Sequence, residues 1–299
     1  MTDPRRSRPP ERALRWVTES IGAGSRIASL RRLTAGGWHA NHALTVVDRS
    51  GRAQRLVLRR WVRPEWIVED PDFTPAREAA VLELLADSPV RAPRVVAADP
   101  DGAACDVPAL LITRLPGRAP GLPSDMDDFL AQLAQALADI HAAGEPARGR
   151  IPGYRSYHDL RRSAPPPWSR RPELWERALE RVAPAPPPGP CSLIHRDYHP
   201  QNTLWSRGRL TGVVDWTSAS WGGRAVDAAH MRWNLAVSYG LDAADRFLEL
   251  HRSLAGGASD DQPYWDAVTV LDLVPDVDPG GWPSFDLDRL ERYLESALS

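Results

Sequence analysis

The chain has 299 residues, with 37 basic side chains against 39 acidic ones, and every basic residue is arginine. That length can bury substantial cores in one large or two smaller domains, and a formal net charge of −2 argues against a nucleic-acid partner, which would call for a concentrated basic face. Two cysteines, Cys105 and Cys191, exclude a disulfide framework, and with no leader-like or membrane-length apolar run the expectation is a soluble, cytoplasmic protein.

Residues 1–12 are charged and proline-containing and read as a disordered tail. Arg26 to Leu33 reads as a strand, followed by a tight turn through Asn41. Within it Gly36 and Gly37 would let the backbone approach a phosphate closely, although a Gly-Gly pair alone is an ordinary hairpin turn. His42 to Val47 reads as the returning strand and Gln54 to Trp61 as a third. The third carries Leu56-Val57-Leu58-Arg59 where protein kinases carry V-A-I-K. In a chain without lysine, Arg59 is the candidate phosphate-contacting cation. Guanidinium is always charged and grips phosphate or carboxylate with two parallel bonds. Arg60 falls on the opposite face of the strand.

Thr74-Pro75 opens a helix, with Thr as cap and Pro at the first position. Its apolar stripe of Val81, Leu82 and Leu85 lies three, four and seven residues from Glu78, which places Glu78 on the inward face. A carboxylate on a buried face needs a charged partner, and Arg59 is the expected one. The alternative is a Glu at the core edge that reaches water.

Ser163 to Pro190 is proline-rich at both ends, with an amphipathic helix over Pro172 to Val182. Cys191 to Ile194 is a short apolar run suited to a buried strand that delivers a loop, with Cys191 as a small core residue. Thr203 to Trp205 and Leu210 to Val214 read as two strands joined by a turn at 206–209. Asn202 then starts one strand and Asp215 ends the other. Asp242 to Leu254, Gln262 to Val274 and Ser284 to Leu298 carry helical periodicity.

The chemistry concentrates in His195-Arg196-Asp197, with Asn202 five residues after the Asp and Asp215 thirteen beyond that. The pattern H-R-D-x4-N, then a hairpin and a strand-terminal Asp, suits phosphoryl transfer. One Asp accepts the proton of a hydroxyl, the Asn reaches a magnesium ion, and the second Asp holds the same hard cation under nucleotide phosphates. His195-x-Asp197-x-His199 could instead be a metal cluster of a hydrolase, but that reading needs further ligands and no second His/Asp cluster is visible. A polar loop without chemistry is the remaining alternative.

In this order the segments resemble the aminoglycoside phosphotransferase family, from about Arg31 to the helix after Asp227. The markers are Gly36-Gly37 to Asn41, Leu56 to Arg59, Arg77 to Leu82, Pro108 to Gly117, Leu133 to His141, the His195 loop, Gly212 to Trp216, and Gly222-Gly223-x-x-x-Asp227. The resemblance implies an α+β, protein-kinase-like, two-lobed fold. A small lobe of antiparallel sheet plus helix would cover 13–113, and a larger, mostly helical lobe 114–299, with 163–190 inserted in it. In the family such an insertion can border the substrate cleft; a docked surface helix is the other reading.

The resemblance further implies Mg2+ and ATP or GTP as phosphoryl donor. Backbone groups near Thr113 and Leu115 would bond the purine. The Gly36-Gly37 turn and Arg59, fixed by Glu78, would bind the phosphates. Asp197 would position and deprotonate the acceptor hydroxyl, and Asn202 and Asp215 would hold magnesium. His195 would order the loop and Asp227 would brace it. The sequence departs from the family pattern at Arg59, where Lys is commoner, at Arg196, where Gly is frequent, and at Gln201. None of these removes a catalytic group, and the family name does not assign a substrate.

Charge asymmetry bears on the acceptor. Residues 1–100 carry a net +5 and residues 191–299 a net −7. A positive nucleotide lobe suits phosphates, and an acidic lobe suits a small cationic acceptor, with Asp260, Asp261 and Asp266 as candidate contacts. Aminoglycoside-like antibiotics fit. A metabolic kinase for choline-like, amino-alcohol or sugar acceptors is the alternative within enzymes, and a nucleotide-binding pseudokinase is the alternative from another class, favoured only by Arg59.

Overall fold

The computed structural model describes residues 7–33, 39–63, 73–144, 148–160, 163–254, 262–273 and 286–299. The turn glycines Gly36 and Gly37 and the candidate contacts Asp260 and Asp261 lie outside them. The chain forms two compact units, Met1–Gly117 with Thr211–Ser218, and Arg118–Leu210 with Ala219–Ser299. The first break falls later than the expected 113/114. The segment bearing Asp215 belongs to the first unit, although it lies far along the chain.

The first unit is built on a five-stranded antiparallel sheet. Its strands are β1 (Arg26–Arg32), β2 (Ala40–Val47), β3 (Ala53–Arg60), β4 (Val95–Asp99) and β5 (Ala109–Thr113), in the order β1-β2-β3-β5-β4. Alternation along the strands sorts side chains to two faces. Leu44, Val46, Leu56, Leu58, Ala109 and Leu111 form one core cluster with Ala13, Trp16 and Val17 of helix α1 (Glu11–Ile21). That helix begins inside the segment expected as a tail. It buries only three side chains, so its polar and charged residues hid the apolar stripe.

Helix α2 (Pro75–Leu85) packs on β4 and β5 and buries Val81, Leu82 and Leu85. Thr74 caps it, its side chain accepting from the Arg77 N–H at 3.2 Å. Arg59 stands opposite Asn41 in the β2–β3 register. Arg60 takes the other face, with Nε 2.9 Å from Asp106 Oδ1.

The second unit is mainly helical, with α3 (Met126–Ala142), α4 (Pro172–Val182), α5 (Arg224–Tyr239), α6 (Leu241–Leu254), α7 (Gln262–Leu273) and α8 (Leu287–Ala297). Helix α5 packs against α6, α7 and α8, which is why most of its length is buried. Gly240, with φ 105°, ends it and lets α6 begin at once. Helix α4 docks on α7 and α8 through Leu174, Trp175, Ala178 and Val182. The Trp175 indole N–H donates to Glu291 Oε1 at 3.0 Å.

Strand β6 (Cys191–Ile194) pairs antiparallel with β9 (Ser220–Gly223), while β7 (Thr203–Ser206) and β8 (Arg209–Val213) form a two-stranded ribbon. Cys191 is exposed rather than in the core, because β6 starts at the surface and only Ser192, Leu193 and Ile194 are buried. No helix among the described residues is long and apolar enough to cross a membrane.

Candidate active site

Arg59, near the end of β3, is buried at the centre of an ion cluster in the first unit. Its Nε lies 3.0 Å from Glu78 Oε2, and its terminal nitrogen lies 2.7 Å from Asp215 Oδ1 and donates to Thr217 Oγ1 at 3.2 Å. Glu78 is 1% exposed, so the Glu that could have reached water does not. Burial works against the Arg59 charge, but Glu78 and Asp215 outweigh it and raise its pKa. Burial pushes the Glu78 carboxyl up, against the pull of Arg59.

Asp215 follows β8 with φ 68°, in the left-handed region that a short polar side chain tolerates. The next residue, Trp216, is buried and its indole donates to the Val213 carbonyl at 3.0 Å, which pins the turn. Gly212 has no room for a side chain, since a Cβ would sit 2.3 Å from Leu115 Cδ1 and 2.9 Å from the Arg91 carbonyl. Leu115 thus packs against the strand that delivers Asp215. The Thr113 N–H donates to the Arg94 carbonyl at 2.9 Å, so that amide is not offered to a purine.

In the second unit, β6 delivers His195, Arg196 and Asp197. Asp227, on the first turn of α5 and fully buried, braces this loop. Its Oδ2 accepts from the His195 N–H at 2.9 Å, its Oδ1 accepts from the Arg196 N–H at 2.7 Å, and His141 Nε2 lies 3.1 Å from Oδ2. Burial alone would raise the Asp227 pKa, but His141, His195 and these bonds outweigh it and lower it. Arg196 has φ 70°, a strained position for a long side chain. It is held by a 2.7 Å bond to the Arg155 carbonyl and by the Tyr157 ring, 3.6 Å from its guanidinium carbon.

Asp197 is clamped on both oxygens. Asn202 Nδ2 donates to Oδ2 at 2.8 Å and to the Asp197 carbonyl at 2.9 Å. His230 Nε2 lies 3.2 Å from Oδ1. The Gln201 N–H donates to His199 Nδ1 at 3.3 Å, which makes Nε2, 3.6 Å from Oδ1, the ring's donor nitrogen. Burial would raise the Asp197 pKa, but His199 and His230 outweigh it and hold it well below the usual carboxylate range. With 38% of its side chain exposed, this ionised carboxylate can meet a ligand.

Thr217 and His230 are absent from the sequence reading, and His141 enters it only as the end of a family marker, without a role. His230 carried a signal, since it lies one helical turn from Asp227 on the same face of α5. Asp266 departs from its expected role. It is 1% exposed, is contacted by the Arg232 guanidinium, and accepts from Gln262 Nε2 at 2.8 Å. Its carboxylate is committed to an internal pair, because an unpaired acid at that depth would be costly. Among the described residues no group of three or more His, Cys, Asp or Glu could hold a metal ion, so the hydrolase cluster around His195 and His199 lacks the ligands it needs there.

A sequence profile described as the phosphotransferase enzyme family matches residues 35–271. The chain belongs to that family. It is a kinase-like phosphotransferase, and its fold agrees with those of solved structures. A thermostable mutant of aminoglycoside phosphotransferase APH(4)-Ia, in ternary complex with AMP-PNP and hygromycin B, has a TM-score of 0.65 at 18% identity, over 97% of this chain and 98% of that one. The apoenzyme of macrolide 2'-phosphotransferase MphH from Brachybacterium faecium has a TM-score of 0.59 at 19% identity, over 97% and 98%. An aminoglycoside-3'-phosphotransferase of type VIII has a TM-score of 0.54 at 20% identity, over 86% and 97%. At such identities the likeness establishes the fold. No curated protein sequence matches this phosphotransferase.

Proposed function

We propose that this phosphotransferase moves the γ-phosphoryl group of ATP or GTP to a hydroxyl of a small, cationic molecule. The observation that carries the reading is the clamped Asp197 carboxylate, ionised and partly exposed at the tip of a braced loop. Such a group can orient a hydroxyl and take its proton as the phosphoryl group leaves the donor. In a loose transition state, positioning of this kind does most of the work. The nucleotide donor is supported by the AMP-PNP complex of the aminoglycoside relative, and a small hydroxylated acceptor by the hygromycin B in that complex. The cationic character is supported by the net −7 of residues 191–299.

In this reading Arg59, fixed by Glu78, addresses the phosphates. Asn202 and Asp215 would each offer an oxygen, the hard donor type that suits magnesium, which takes one or two carboxylates plus phosphates rather than a full protein cage. When bound, magnesium supplies neutralisation of charge on the phosphate oxygens. Asp227 and His195 keep the catalytic loop in the strained conformation that presents Asp197.

The test is nucleotide consumption with magnesium against a panel of aminoglycosides, macrolides, choline-like amino alcohols and neutral or anionic hydroxyl compounds, followed by Asp197→Ala on the acceptor found. Turnover should fall by roughly 10²–10⁴-fold with donor affinity kept. Near-wild-type turnover in the variant would remove the mechanism. A panel in which only neutral or anionic hydroxyl compounds react would remove the cationic acceptor.

A further inference from the structure

His39 immediately precedes β2 and is 4% exposed. Its ring stacks on Phe73, centroids 4.9 Å apart, and tilts against Trp61 at 4.2 Å. Neither ring nitrogen has a hydrogen-bond partner among the described residues. Two orphaned nitrogens on one buried imidazole are unusual, because almost all buried polar groups find a partner. A Phe would fill the same slot between the two aromatics without that cost.

The surroundings indicate what is missing. His39 lies two residues before Asn41, which stands opposite Arg59 across the β2–β3 register. The Arg59 guanidinium carbon lies 5.7 Å from the Trp61 centroid, so one indole touches both the imidazole and the cation. Burial, with the Arg59 charge nearby, holds the His39 pKa well below its usual value, so the ring is neutral and carries one N–H donor. A neutral N–H beside a buried guanidinium matches an anionic oxygen better than a second cation would.

We infer that His39 is a phosphate-binding residue, donating a ring N–H to a phosphate oxygen of the nucleotide that Arg59 addresses. The inference rests on the nucleotide-donor reading above and extends it to a side chain to which the family resemblance assigns no role. It makes His39 a group kept at the expense of stability in the free protein, as binding residues often are.

The experiment measures two properties of the full chain, its Tm and its affinity for ADP with magnesium, using adenosine as the phosphate-free control. In His39→Phe the ring packing stays and the orphaned nitrogens go. Tm should rise by about 2–4 °C, while ADP binding weakens roughly 10–100-fold, the range for a bond to a charged group. Adenosine affinity should stay within about twofold. His39→Gln, which restores an N–H, should recover at least half of the lost ADP affinity on a logarithmic scale. Unchanged ADP affinity in His39→Phe would overturn the inference and make the imidazole a core ring served by water. Should His39→Phe fail to fold, His39→Gln and wild-type protein with ¹⁵N-labelled histidine decide. A buried ring-nitrogen signal that moves with neither ADP nor ATP, in protein that binds them, overturns the inference as well. Wild-type protein that binds neither ADP nor ATP would instead bring down the donor reading itself.

Discussion

Asp227→Asn tests the brace that presents Asp197. The native carboxylate accepts from two backbone N–H groups, at 2.9 and 2.7 Å, and pairs with His141 at 3.1 Å, all in a fully buried setting. An Asn side chain keeps one acceptor oxygen, which can serve the Arg196 N–H. Its amide group then faces the His195 N–H, donor against donor. The charge-assisted part of one bond is lost, and a buried donor is orphaned. Together these cost roughly 2–4 kcal/mol, a large share of the 5–15 kcal/mol that holds most domains folded.

At about 2–4 °C per kcal/mol, Tm should fall by roughly 4–15 °C. Differential scanning calorimetry from pH 7 downward gives a second readout. Asp227 has a depressed pKa in the fold, so its ionised form contributes stability that is present above the ordinary value of 3.8. That contribution disappears as pH falls through the lower folded value. The gap between wild type and Asp227→Asn should therefore be constant near neutrality and close below about pH 4. A Tm within 1 °C of wild type, or a gap that persists unchanged to about pH 2, would refute the brace.

Arg59→Ala and Glu78→Ala should each cost about 3–5 kcal/mol by stranding a buried charge, and calorimetry on the double variant should show strong non-additivity; simple addition would dissolve the pair. Arg59→Lys should not substitute, because one ammonium cannot meet Glu78 and Asp215 from two nitrogens at once, and wild-type stability and ADP affinity in that variant would contradict the fork geometry. His230→Phe should lower kcat about tenfold, as expected for losing one bond that orients Asp197. Donor affinity should be unchanged and His230→Gln should recover part of kcat, whereas an unchanged kcat would leave His230 as packing.

Local chemistry made much of this legible. The H-R-D-x4-N loop, the hairpin after it, the capped helix with an inward Glu78 and the alternation that separates Arg59 from Arg60 all depend on neighbours within a few residues. Helix Pro172–Val182 and strand Cys191–Ile194 have the limits read from the sequence. Long-range contacts were not legible in the same way. Asp266 looked like a solvent-facing acid because Arg232, 34 residues earlier, is its partner only after α5 and α7 pack. The His230 contact with Asp197 spans 33 positions and needs α5 to stand against the loop. The acidic balance of residues 191–299 survives as a number, but part of it is internal, since Asp272 is also buried, accepting from the Tyr157 and His158 N–H groups at 2.8 Å each.

The two bracing carboxylates share a placement that explains how they can be buried at all. Glu78 and Asp227 both lie in the first turn of their helices, α2 and α5, four positions after the cap residues Thr74 and Gly223. There the unpaired N–H groups and the helix dipole favour negative charge, which offsets part of the desolvation cost. From that position each acid faces the element on which its helix packs. Glu78 reaches Arg59 on β3, and Asp227 reaches the backbone after β6. A first-turn acid on the inward face of a helix is thus a sequence pattern with a physical reason to lock a motif elsewhere in the chain. Its partner is then a cation or a pair of amide N–H groups, because only these repay a buried carboxylate.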